Sequence, residues 1–147
     1  MNQNIEIKRT LLAKVGRLFS DSKLKYTWEV RIDSIKLIFE FMDSIKSSKK
    51  RLFINKKKVV EEETKEKNYK LKVEFQNDVF LFYQINGSYR LKINDSIVSS
   101  EPNVTHLVVP GDSDTDTSLL LQNFRTEEIG GSIIIKVAEN GNGGKRL

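Results

Sequence analysis

The sequence contains no cysteine, one histidine and two prolines in 147 residues. Without cysteine there is no disulfide framework and no thiolate metal site, which fits a reducing compartment. One imidazole per chain, His106, rules out an intrachain histidine metal cage. No apolar run approaches the roughly 18 residues of a membrane-spanning helix. The start, Met1-Asn2-Gln3-Asn4-Ile5-Glu6, has no secretory hydrophobic region. These absences lead to the expectation of a soluble cytoplasmic protein with no transmembrane segment.

Catalytic signatures are missing as well. There is no Gly-x-Ser-x-Gly elbow, no phosphate-binding glycine loop and no His-Glu-x-x-His, and the clustered glycines lie near the end of the chain. Asp112, Asp114 and Asp116 have the spacing of a calcium loop, but no glutamate follows at its twelfth position, so an exposed loop is expected. Glu29 and Glu40 could form a carboxylate pair, but alternation places them on solvated strand faces, in reach of Arg31 and Lys36 as salt partners. The expectation is a protein with no catalytic residues, no cofactor and no metal.

What is present is a globular balance of 38% hydrophobic and 31% charged residues, long enough for one core. Lys and Arg number 25 against 20 Asp and Glu, for a net charge of +5. This excess suits an acidic partner, although richness in Lys, Asn and Ile also follows from AT-rich codons.

Residues 5–19 place Ile7, Leu11, Val15, Leu18 and Phe19 at helical spacing, flanked by Lys8, Arg9, Lys14 and Arg17. The spacing predicts a short basic amphipathic helix, forming with its connector an arm over residues 1–25. Such a helix can pack on the core or on a partner, serve as a mitochondrial presequence, or lie on a membrane surface.

From about Tyr26 the period changes to two. Trp28, Val30 and Ile32 alternate with charged residues, and a turn at Asp33-Ser34 leads to Ile35, Leu37, Phe39 and Phe41. Arg51–Ile54 and Val59-Val60 predict a hairpin turned by Asn55-Lys56-Lys57, where glycine would suit positive φ better. Glu61–Lys67 reads as a solvated charge run. Tyr69–Phe75 has one wet face, Val79–Ile85 reads as a central strand buried on both faces, and Asn86-Gly87 turns into Tyr89–Ile93. Ile97-Val98, Val104–Val109, Leu119–Leu121 and Ile133–Val137 supply further strands, before a flexible glycine-rich tail over 139–147. Eight to ten short strands between turn signals predict an all-β, antiparallel β-sandwich over residues 26–138.

The stretch Trp28-Glu29-Val30, Phe39-Glu40-Phe41, Ser48-Lys49-Lys50-Arg51 and Ile54-Asn55-Lys56-Lys57 resembles one half of the Fas apoptotic inhibitory molecule family. That family carries Trp-Glu-Val, an Ile-Glu-Phe-like strand, a Ser-Gly-Lys-Arg loop and a Val-Asp-Gly-Lys turn. Order and approximate spacing match over residues 28–60 and extend by pattern to about residue 98, while both family glycines are lysine here. The resemblance implies a non-enzymatic sandwich that binds other proteins. The alternative is a structural subunit of a larger assembly, ciliary or cytoskeletal, docked through its N-terminal helix and basic loops.

The basic residues Lys8, Arg9, Lys14, Arg17, Lys49, Lys50, Arg51, Lys56, Lys57 and Lys58 are the candidates for partner contact. Two clusters at opposite ends of one strand suit an acidic protein surface or polymer. Nucleic acid is not expected, since the neighbouring aromatics alternate into the core instead of standing exposed for base stacking. As solvated residues, Lys49, Lys50, Lys56, Lys57 and Lys58 are expected to tolerate replacement by glutamate without loss of folding.

Overall fold

The computed structural model describes residues 4–15, 22–99, 103–105 and 119–137. His106, Arg17, the Asp112–Asp116 run and the 139–147 tail lie outside the described residues.

Two packed sheets are built from the strands β1 (Ile5–Lys14), β2 (Lys23–Ile32), β3 (Ile35–Ser44), β4 (Lys49–Ile54), β5 (Lys57–Glu63), β6 (Lys70–Phe75), β7 (Asp78–Ile85), β8 (Ser88–Ile93), β9 (Ile97–Val98), β10 (Asn103–Thr105), β11 (Leu119–Leu120), β12 (Phe124–Ile129) and β13 (Ser132–Val137). One sheet has the order β10-β1-β2-β3-β4-β5, with β11 beside β3, and the other runs β12-β13-β6-β7-β8-β9. The expected all-β sandwich is therefore observed, with more strands than sequence spacing suggested. It is also mixed, because β1–β10, β3–β11 and β6–β13 pair in parallel. β11 takes up the edge of β3 at Ile35 and Lys36, ahead of the point where β4 begins to pair at Phe39.

The predicted N-terminal helix is not observed in its described part: Ile5–Lys14 is a strand paired with β2. The cause is a register shift between Ile7 and Arg9, which leaves Lys8 as the extra residue of a bulge. Ile5 and Ile7 pack on the core before the bulge, and Thr10 and Leu12 align with Trp28 and Tyr26 after it. An alternation that slips by one residue imitates the three-and-four spacing of a helix. β1 thus belongs to the sandwich, and residues 5–14 are not a separate arm.

The core lies between the inward faces of the two sheets. Trp28, Val30, Leu37, Phe39, Leu52 and Ile54 are fully buried from one side, as are Val73, Phe75, Phe80, Phe82, Leu91 and Ile93 from the other. Aromatic rings bridge the sheets: Trp28 meets Phe82 at 5.2 Å between centroids, Phe39 meets Phe80 at 5.2 Å, and Phe41 meets Tyr89 at 4.6 Å. Each such pair adds about 0.5–1.5 kcal/mol beyond area burial. β7 alternates buried and half-buried residues, so the expected burial on both faces gives way to one inward face, that of Phe80 and Phe82.

Strand direction divides the hairpin connections between two ends of the sandwich. At one end, the turn end, β2–β3, β4–β5, β6–β7 and β8–β9 are joined by tight turns. Asp33, Asn55 and Asn94 each hold a positive φ, of 53°, 50° and 53°, directly after an isoleucine that closes its strand. Each donates its backbone N–H to a neighbouring strand or strand end, on Asn4, Ile38 and Val79, all at 2.9 Å. Each side-chain oxygen accepts the N–H of the same partner, at 3.0, 2.7 and 2.8 Å. The Ile-Asx step therefore adds one rung to the ladder of the preceding strand pair. Asn55 does more, because its Nδ2 donates to the Leu121 carbonyl at 2.7 Å and ties down the segment after β11.

Candidate interaction surface

The other end is built differently. It gathers the end of β1, the start of β2, the β3–β4 loop over 45–48, the β5–β6 loop over 64–69 and the Asn86-Gly87 turn. Lys14, Lys23, Lys46, Lys49, Lys65 and Lys67 all lie in these connections or at the strand ends beside them. Among the described residues, Lys23, Lys49, Lys65 and Lys67 have no carboxylate within salt-bridge distance. Lys65 and Lys67 are also exposed, so both ammonium groups are open to a partner. This is the basic end.

A groove of about 420 Å³ opens here, with Lys50, Ile45, Lys65, Lys67 and Gln84 in its lining. Lys50 is not on a solvated surface: it is 5% exposed, and its Nζ donates to Asp43 Oδ1 at 3.1 Å. Asp43 is 8% exposed and accepts the Tyr89 hydroxyl at 3.1 Å through its other oxygen. The Lys50 ammonium also stands 5.5 Å from the Tyr69 ring centroid, and the Tyr69 hydroxyl donates to Glu62. Burial, followed by the bond to Glu62, pushes the Tyr69 hydroxyl pKa upward. Burial, followed by the charge of Asp43, does the same at Tyr89. Both phenols remain protonated donors. The result is a polar network under the groove, and Lys50, expected on a solvated surface, is its buried cation.

The other predicted contact residues are divided between structural pairing and exposure. Arg9 and Lys36 both reach Glu29 at 3.6 Å, and Lys25 and Lys56 both reach Glu40 at 3.3 Å. Glu29 and Glu40 are 9% and 7% exposed, so the expected salt pairing is present, but beneath covering side chains rather than on a solvated face. Lys36 is the expected partner of Glu29, whereas Arg31 turns to Glu6. Arg51 and Lys58 both hold Glu61, at 3.1 and 2.6 Å. Their hydrogen bonds, with that of Lys58 the stronger, lower the Glu61 pKa from 4.5 to about 2. Lys57 donates to the Phe124 carbonyl at 2.6 Å and sits 4.9 Å from that ring's centroid, tying β5 to β12. Lys8 and Lys14 are exposed on β1.

Of the two clusters, the one around Lys56–Lys58 thus belongs to the turn end and to internal pairing. Lys49 and Lys50 belong to the basic end, where they join Lys65 and Lys67. The latter two went unsingled because they sit in a mixed charge run. The acidic half of that run, Glu61–Glu63, is in β5, and its lysines are in the following loop, so strand geometry separates charges that are adjacent in sequence.

No group of three or more His, Cys, Asp or Glu side chains able to hold a metal occurs among the described residues. No described helix is long and apolar enough to cross a membrane. Comparison with protein-family models, with curated proteins and with solved structures finds no match to this chain.

Proposed function

We propose that the chain is a non-enzymatic protein-interaction module of the Fas apoptotic inhibitory molecule type, which engages acidic surfaces of partner proteins through its basic end. The observation that carries this reading is the contrast in pairing. Arg9, Lys25, Lys36, Arg51 and Lys58 each hold a carboxylate of the same chain, while Lys65 and Lys67 in the 64–69 loop and Lys49 at the start of β4 lie at one end of the sandwich with none among the described residues. Converging unpaired charge steers an oppositely charged partner and strengthens its encounter. The Trp28–Lys57 signature supports the family assignment through its physical roles: Trp28, Phe39 and Phe41 are core residues, and Asn55 is the residue that clamps its turn.

Charge reversal tests the reading directly. A Lys65→Glu, Lys67→Glu double variant should fold as the wild type does, with stability changed by no more than about 0.5 kcal/mol. It should lose retention of polyglutamate measured by fluorescence anisotropy at low salt. Equal retention by variant and wild type would overturn the proposal. In a pull-down, stoichiometric retention that survives high salt and the double variant would favour the structural-subunit alternative.

A further inference from the structure

The groove at the basic end carries more than charge. Lys50 is an ammonium with three N–H donors. One is on Asp43 and another faces the Tyr69 ring. Across the same lining, Gln84 Oε1 is buried without a hydrogen-bond partner among the described residues. An acceptor left unmet in a protein is destabilising, and a ligand that supplies a donor recovers the loss. Ile45, 58% exposed, adds an aliphatic wall beside these polar groups.

We propose that this groove takes an extended acidic segment of a partner protein. One carboxylate lies against Lys65 and Lys67 beside Lys50, one backbone N–H donates to Gln84 Oε1 after the half-buried Gln84 amide turns towards the groove, and one aliphatic side chain covers Ile45. This rests on the basic-end reading and names its ligand class. A peptide supplies all three chemistries within a few residues: anion, N–H donor and apolar side chain. A nucleic-acid backbone supplies the anion but no N–H, and the nearby aromatics offer no stacking platform, since Tyr69 and Tyr89 are 3% and 1% exposed.

The test uses a fluorescein-labelled, C-terminally amidated peptide Glu-Glu-Leu-Glu-Glu, with anisotropy as readout. Comparison ligands are Gln-Gln-Leu-Gln-Gln, Glu-Glu-Gly-Glu-Glu and an oligothymidylate. The wild type should prefer the first peptide to its glutamine counterpart by about tenfold, the scale of one or two charge-assisted bonds. Gln84→Met, similar in size but without the acceptor, should weaken binding by about fivefold. Ile45→Ser should reduce the affinity for Glu-Glu-Leu-Glu-Glu to that for Glu-Glu-Gly-Glu-Glu. Urea melts of both variants establish that they fold. If the Lys65→Glu, Lys67→Glu variant loses binding while Gln84→Met and Ile45→Ser do not, the groove is overturned and the basic-end reading stands. If none of these variants changes binding, both are overturned. Tighter binding of oligothymidylate than of any peptide overturns the assignment to a protein ligand.

Discussion

At the turn end, Asp33, Asn55 and Asn94 hold their hairpins closed by binding the backbone of a third segment. At the basic end, the 45–48 and 64–69 loops are longer, and a buried ion pair stands where the turn end has aliphatic strand closures. The chain makes antiparallel connections at both ends, so topology is not what separates them. What differs is where polar groups find their partners. At the turn end the Asx side chains are satisfied by backbone groups of the sheet. The basic end keeps cations and one buried acceptor unmet, which suits recognition at some expense in stability.

The strongest way to break this contrast is at Lys50. Lys50→Glu places a second carboxylate beside buried Asp43 and should cost about 3–5 kcal/mol in urea unfolding, or prevent folding. Lys50→Met alone should also be costly, while Lys50→Met with Asp43→Asn should recover much of the loss, because the unpaired charge is then gone. A double variant no more stable than the single would show that the pair is not the source of the effect.

The turn end should respond less, and through hydrogen bonds. Asn55→Ala removes the acceptor for the Ile38 N–H and the donor to the Leu121 carbonyl, with an expected loss of about 2 kcal/mol. Hydrogen exchange at Ile38 should quicken in step; unchanged exchange would contradict the clamp. In the opposite direction, Lys56 occupies the second turn position with φ 74°. Lys56→Gly should raise stability by about 1 kcal/mol, since glycine adopts that conformation without steric penalty. The part-buried Lys56–Glu40 bond that it removes offsets only part of this, because Lys25 still pairs with Glu40.

The smallest expected effect is at Glu61, on β5 between the two ends. Its lowered pKa means that its pairing with Lys58 and Arg51 favours the folded state above pH 4.5 and stops doing so as pH falls towards about 2. Carboxyl NMR should place its titration near 2 in the wild type, and closer to 4.5 in Lys58→Ala. A wild-type midpoint near 4.5 would show that the two cations do not act on it.

How much of this was legible depends on the element. Trp28, Val30, Phe39 and Phe41 announced their burial through strict alternation, and Asn86-Gly87 announced its turn. β1 was misread because the bulge at Lys8 shifts the alternation by one residue, and pattern matching has no means to see a slip. β12 was missed because Phe124–Ile129 is an edge strand with one buried residue, Phe124, and charged residues at half of its positions. The basic site was half legible. Lys49 and Lys50 stood out as a run, but Lys65 and Lys67 were diluted by neighbouring glutamates.

By itself the sequence determined the all-β class, the inward aromatic face and the Asx turns, because each follows from neighbours within a few residues. Only the tertiary structure decided which cations are consumed and which are left open. Arg9 and Glu29, Lys25 and Glu40, and Lys57 and Phe124 meet across strands that lie apart in the chain. Ion pairing depends on separation in space, falling with distance and screened by water. A run of lysines in one dimension therefore could not show that Lys50 is buried, or that Lys65 and Lys67 stand free beside it.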